Sequence, residues 1–457
     1  MEPLFSSLFP TSSKADWITQ VQKEARDADA FERMRWQADG AFTLEPYYTA
    51  DDLNTLPLTN LQTAQKQIPG WLNAPEYLIT NEKADNVTLR DALTRGADAL
   101  VLTLATMPDL SLLLNGIKLS ETPVFFRFNA GQQPVNTADF VQALKTIAPY
   151  QFKGGLLTAV NDQIADVTRQ TADSPLFRTI CISGHAFHNA GATATQELAF
   201  TLAMLTDAYD TLTDDGLSID QLVAKTMLSV SVGTSYFMEI AKLRALRVLC
   251  LRFVGAYQPS FSQVGGPIQP NGRADSSFQI HAQTSTFYDA VASPYTNLLR
   301  STTEAMAAVM GGCDALTIHP YNAVSGQIPD RAFGERIARN ISVLLREESH
   351  LDKVADPSAG SYYIETLTHE LVESAWALFL AVEKRGGYKQ AMADGFIQRE
   401  IDRSYQVKLA AVQNGKVLVG VTKYRSDDST DALSKPGKTT QNDTTTLPNR
   451  RLAEEFE

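Results

Sequence analysis

Eight short apolar runs, separated mostly by helical stretches, set the tightest limit on how this chain can fold. They are EYLIT (76–80), DALVLTL (98–104), PVFFRFN (123–129), GGLLTAV (154–160), RTICISG (178–184), KTMLSVSVG (225–233), FQIHAQT (278–284) and DALTIHP (314–320). Between them lie helical stretches such as VTLRDALTRGA, TADFVQALKTIA, TATQELAFTLAMLTDAYDTL and TSYFMEIAKLRALRVLCLRFVGAY. Strands joined through helices run parallel, and eight is the number that closes a (β/α)8 TIM barrel. The alternative is an open doubly wound sheet, but no GxGxxG follows the first run to support a dinucleotide site. The weakest part is the stretch around the fourth run, where the helix is poorly defined.

The stretch His281–Asn322 carries one whole unit of this pattern: strand end, polar loop, helix, double glycine, strand, polar loop. Its helix is expected after Pro294, from Asn297, with Leu298, Leu299, Met306, Val309 and Met310 on an apolar face. Gly311 and Gly312 should stop it, because glycine takes the left-handed conformation a helix C-terminus needs. Polar residues just past parallel strands fall on the face where barrels do their chemistry.

The flanks read differently. Residues 1–70 form an N-terminal arm, helical from Trp17 to about Ala38, then turning at Asp39-Gly40 into an extended stretch. The arm is rich in aromatics but cannot build its own core, so it should cover its own barrel or contact a partner subunit. The barrel is expected over 71–345 and a C-terminal helical segment over 346–425. That segment should hold a helix at roughly 388–413 and a last strand, KVLVGVTKY (416–424). Residues 426–457 read as a polar linker, with RRLAEEFE as the start of a further element, as in a truncated chain.

A net charge of −12 argues against a nucleic-acid partner, which needs clustered positive charge. No run approaches the ~18 apolar residues of a membrane span, and the N-terminus has no signal-peptide pattern. Cys181, Cys250 and Cys313 sit in apolar runs without metal-ligand spacing. Buried thiols and a cytoplasmic setting are expected.

Four of the six histidines stand just past the runs: His185, His188, His281 and His319. Imidazole is the common ligand for zinc or iron, so a metal-dependent barrel hydrolase is one reading. No HxH pair or strand-end carboxylate completes the ligand set. Acid–base work by His281 with Gln283 as an orienting amide is a second reading, since alternate strand residues face the same way. A polar plug of the barrel mouth is the third. The cations of AKLRALR are expected on a solvated or ion-paired helix face.

Several segments together resemble the adenosylcobalamin-dependent methylmalonyl-CoA mutase family. They are ISGHAFHNAGATATQELAFTLA, SYFMEIAKLRALRVL, HAQTS with SPYTNLLRSTTEAMAAVMGG, RIARNISVLLREESHLDKVADPSAGSYYIETLT, and KVLVGVTKY. They cover most of residues 175–425; QADGAFTLEPYYTADDL is similar to the family's N-terminal entry in weaker detail. The resemblance implies a barrel that holds a CoA thioester, with a separate cobalamin-binding domain in the catalytic chain, and it makes 426–457 a linker leading towards an absent cobalamin-binding-like domain.

The active-site loop of that family reads like SGYH, and here His185 and Ala186 stand at the matching positions. Alanine can neither hydrogen-bond a thioester carbonyl nor act as an acid. His281 and Gln283 match the family's substrate-facing pair, whereas His319 stands where an asparagine is expected. No RQYAG-like or VRNTYI-like run precedes residue 175, and no DxHxxG supplies a histidine to cobalt. This pattern is similar to the small (beta) subunit of two-subunit enzymes. The resemblance therefore implies a degenerate site without catalytic residues, no cofactor on this chain, and a catalytic large (alpha) subunit as partner that binds adenosylcobalamin. ME-x-AK-x-RA and RIARN would support packing and the dimer contact. The alternative within the family is an active subunit served by a separate cobalamin-binding chain.

Overall fold

The computed structural model describes residues 12–38, 41–129, 135–257, 278–325, 330–425 and 447–457. All eight expected runs form strands. In chain order the strands are a hairpin, β1 (Trp36–Ala38) and β2 (Phe42–Leu44), then β3 (Leu72–Asn73), β4 (Glu76–Leu78), β5 (Leu100–Leu104) and β6 (Val124–Phe128). They continue as β7 (Gly154–Leu156), β8 (Phe177–Arg178), β9 (Ile180–Ser183), β10 (Thr226–Val232), β11 (Gln279–Thr284) and β12 (Ala315–Thr317).

Two parallel sheets, ordered β3-β12-β11-β10-β9 and β4-β5-β6-β7-β8, together make the barrel. β3 and β4 are separated only by Ala74 and Pro75, and β8 and β9 only by Thr179. Each pair is one kinked strand that belongs to both sheets. Ala74 N–H donates to Leu316 O on one side, while Val101 N–H donates to Pro75 O on the other. Eight strands are therefore arranged as a barrel, paired between β7 and β8 only at the base, over Gly154–Phe177 and Gly155–Arg178. Its axis below the mouth is filled by Val101, Phe125, Leu157, Cys181 and Met227 among alanines, a packed core rather than a pore.

The helices start where the sequence supplies caps. Asn81, Asn136, Thr193, Ser218 and Ser361 each accept a backbone N–H of the first turn, at the heads of Glu82–Thr94, Thr137–Ile147, Ala194–Asp214, Ile219–Lys225 and Tyr362–Glu383. After β7 the helix is only Ile164–Gln170, as the poorly patterned stretch suggested.

Several expectations are corrected. The arm is not one helix: Lys14–Ala25 stops at Arg26, which is left-handed (φ 53°), and after Ala30–Met34 the chain turns extended into β1. The proposed turn at Asp39-Gly40 lies outside the described residues. The arm covers its own barrel, with Phe42 and Leu44 in the core, Leu61 buried, and Gln62 donating to Glu365 at 2.9 Å. Helix 388–413 is two helices, Gly387–Ala393 and Phe396–Gln413, broken at left-handed Gly395 (φ 72°). KVLVGVTKY folds back on itself as turns with one isolated bridge, Val419 to Lys423, because left-handed Gly420 (φ 76°) reverses it.

The Thr296–Met310 helix buries Asn297, Ser301 and Glu304 with Ala305, Ala307, Ala308 and Val309, and leaves Leu299 68% exposed. Its buried face is polar and small because it meets the loop after β11. Asn297 donates from Nδ2 to Ala290 O and Tyr321 O. Of the two glycines behind it, Gly312 is the left-handed one (φ 84°). Most of the supposed linker, residues 426–446, lies outside the described residues. Leu452–Glu455 forms a 3₁₀ turn docked on the same loop, where Leu452 N–H donates to Phe287 O and Glu457 Oε1 accepts Val291 and Ala292 N–H.

Candidate functional site

The C-terminal ends of the strands carry their inward polar side chains in two connected layers. In the lower layer, Thr317 Oγ1 donates to Ala74 O at 2.7 Å, so it must accept from His281 Nε2–H at 2.9 Å. His281 Nδ1 is then the acceptor for Ser229 Oγ–H at 2.7 Å. Ser229 in turn accepts His185 Nε2–H at 2.7 Å, and Ser231 donates to His185 Nδ1 at 2.8 Å. One hydroxyl proton thus fixes the direction of every other bond. His281, Ser229, Ser231 and Thr317 are all buried.

Burial, followed by the nearby Arg127 charge, lowers the pKa of both imidazoles, His281 to about 3 and His185 well below its usual value. Both are neutral at pH 7, and every ring nitrogen of the pair already has a partner. A general base needs a free lone pair within reach of its substrate. Neither histidine offers one.

The upper layer is charged. Arg127 Nη1 holds Glu76 Oε1 and Oε2 at 3.0 and 3.1 Å, and Nη2 donates to Gln283 Oε1 at 2.9 Å. Gln283 Nε2 lies 2.6 Å from His319 Nε2, and Thr103 Oγ1 donates to Glu76 at 2.5 Å. The arginine charge is balanced inside the protein. The sequence reading missed Glu76, Thr103, Arg127, Ser229, Ser231 and Thr317. The available signal was period two: Arg127 shares a strand face with Phe125, and Ser229 and Ser231 lie in register with His281 and Gln283.

The histidines do not form one metal cage. His185 and His281 are joined through Ser229, whereas His188 sits behind the barrel wall between Glu197 (3.3 Å) and Ser285 (2.8 Å). Among the described residues no group of three or more ligating side chains could hold a metal ion. The cations of AKLRALR are ion-paired as one of the two readings had it, but buried rather than on a solvated face. Lys242 bridges Glu197 and Glu239 at 2.7 and 2.6 Å and donates to Ser231 O. Burial alone would raise the Glu197 pKa, but Lys242 and His188 hold it at about 2. Arg244 pairs with Asp356 and Glu365. These residues serve internal packing. Being enclosed, they cannot also form a dimer contact. Burial also raises Cys181 to about 12, as expected for an inert thiol.

The sequence model of the family described as methylmalonyl-CoA mutase matches residues 157–454. The small subunit of methylmalonyl-CoA mutase from Porphyromonas gingivalis is 32% identical over 432 residues, covering 88% of this chain and 68% of that protein. The chain belongs to the methylmalonyl-CoA mutase family. Other members include a methylmalonyl-CoA mutase of Rhizobium meliloti, 29% identical over 90% of this chain and 64% of its own length. The probable small subunit of Mycobacterium tuberculosis is 33% identical over 78% of this chain and 60% of its own length. The chain thus spans 60–68% of these mutase relatives.

The mutase family implies a cobalamin, and neither His185 nor His281 fits one as a ligand. His185 and His281 have no free nitrogen, and Gln283 caps His319 at Nε2. Among the described residues, no helix is long and apolar enough to cross a membrane.

Proposed function

We propose that this chain is the non-catalytic small subunit of a heterodimeric methylmalonyl-CoA mutase. The large subunit would bind adenosylcobalamin and carry the radical interconversion of (R)-methylmalonyl-CoA and succinyl-CoA, and this chain would stabilise it. The observation that carries the reading is the closed chain Ser231–His185–Ser229–His281–Thr317, in which every ring nitrogen of His185 and His281 is bonded to a protein side chain. Two features support it: Ala186, without acid or hydrogen-bonding capacity, at the family's histidine position, and Phe125 and Met227 filling the axis along which a CoA tail would run.

The test is co-purification from the native source, followed by assays of each chain alone and of the pair. The expected outcome is a larger mutase chain recovered with this one, cobalamin bound only by that partner, and turnover only when the partner is present. Stoichiometric cobalamin binding or mutase turnover by this chain alone would sink the proposal. Ala186→His should not create activity, because the lower layer leaves no free base beside it.

A further inference from the structure

Between β7 and β9 the barrel wall is incomplete. The β7–β8 ladder ends at the pair Gly155–Arg178, and β9 pairs with β10 alone among the described strands. Beyond that point the two strands part. A cavity of about 800 Å³ occupies the gap and reaches outwards to the Ala194–Asp214 helix and to Tyr388. That volume lies in the range of small-molecule sites.

The lining decides what can enter. Leu157, Val160, Ile182, Met204, Ala208 and the Tyr388 ring make its walls. At the inner end stand Arg127, His185 and Ser229. Arg127 is neutralised by Glu76, both His185 nitrogens are occupied, and Ser229 both donates and accepts within the layer. A carboxylate pushed there would lose its water and meet Glu76. At the outer end Asp162 and Asp207 outnumber Lys389, so an anionic head would be repelled there too.

We infer that this cavity is a binding site for an uncharged amphiphile, a hydrocarbon body in the wall gap with a hydroxyl or similar neutral head at the outer rim. This goes beyond the subunit reading and does not depend on it: the site follows from the wall gap and its lining, whether or not a larger chain is bound.

The discriminating pair of probes is 1-octanol and octanoate, equal in chain length and different in charge. Each is titrated into the full-length chain by calorimetry at pH 7. The expected result is saturable 1:1 binding of 1-octanol, with octanoate at least tenfold weaker. Ala208→Phe fills the cavity and should abolish octanol binding. Met204→Glu puts a charge on a half-buried wall position and should weaken it tenfold or more, which keeps the test decisive if Ala208→Phe fails to fold. Octanoate binding as tightly as octanol, no saturable octanol binding, or octanol affinity unchanged in the folded variants would each overturn the assignment.

Discussion

Over β10, β11 and β12 the barrel mouth is filled by side chains whose polar atoms meet one another, whereas between β7 and β9 the wall parts around an apolar space. The closed side has a hydroxyl or imidazole at successive inward positions, each within reach of the next strand. On the open side, β7 begins with two glycines. A Cβ at Gly154 would lie 2.0 Å from Val124 O, and one at Gly155 2.4 Å from Arg178 O. The glycines let β7 approach both neighbours at its base, and the pairing with β8 ends with them at Gly155–Arg178. Closure is thus a property of individual strand pairs, and one barrel can be locked on one flank and loose on the other.

The comparison can be broken most sharply at Lys242. Lys242→Met would leave Glu197 and Glu239 buried and without their shared cation, and should cost about 3–5 kcal/mol in denaturant unfolding. Next comes Ser229→Ala, which strips His281 Nδ1 and His185 Nε2 of their partner. Leaving two buried polar atoms unmet should cost about 2–4 kcal/mol. A loss under about 0.5 kcal/mol would mean the layer is not the lock described.

The closed side should also be acid-sensitive. His281 is neutral in the folded state, with its pKa lowered from 6.5 to about 3, so the unfolded chain binds the extra proton. That stability is present above pH 6.5 and is lost as pH falls from 6.5 towards 3. The slope of unfolding free energy against pH should flatten in His281→Gln over that window. The smallest effect belongs to the open side. Met204→Ala enlarges a space that already exists and should cost about 1 kcal/mol or less, well below the 2–5 kcal/mol usual for a filled core.

Much of the fold was legible because strands and helices carry their own periods: all eight barrel runs form strands, and the long helices Ala194–Asp214 and Tyr236–Tyr257 stand where the pattern put them. The misses have physical causes. KVLVGVTKY has strand-like residues, but left-handed Gly420 reverses it. Leu299 looked like a core residue, yet the buried side of its helix had to satisfy loop carbonyls and took Asn297 instead. At the site, His185, His281, Gln283 and His319 were singled out, although His281 and Gln283 lie within β11 rather than past it, and their partners were not. A serine or threonine in an apolar strand gives no signal until register sets it against an imidazole, and Arg127 was hidden by its apolar neighbours.

The single direction of the Thr317–His281–Ser229–His185–Ser231 chain has a spectroscopic consequence. Its bond dipoles align from Ser231 towards the kink at Ala74, and because the Ala74 carbonyl can only accept, none of them can reverse while that bond holds. The two imidazole Nε2 protons should therefore exchange with solvent slowly and as a pair, visible as two persistent downfield proton resonances that vanish together in Ser229→Ala.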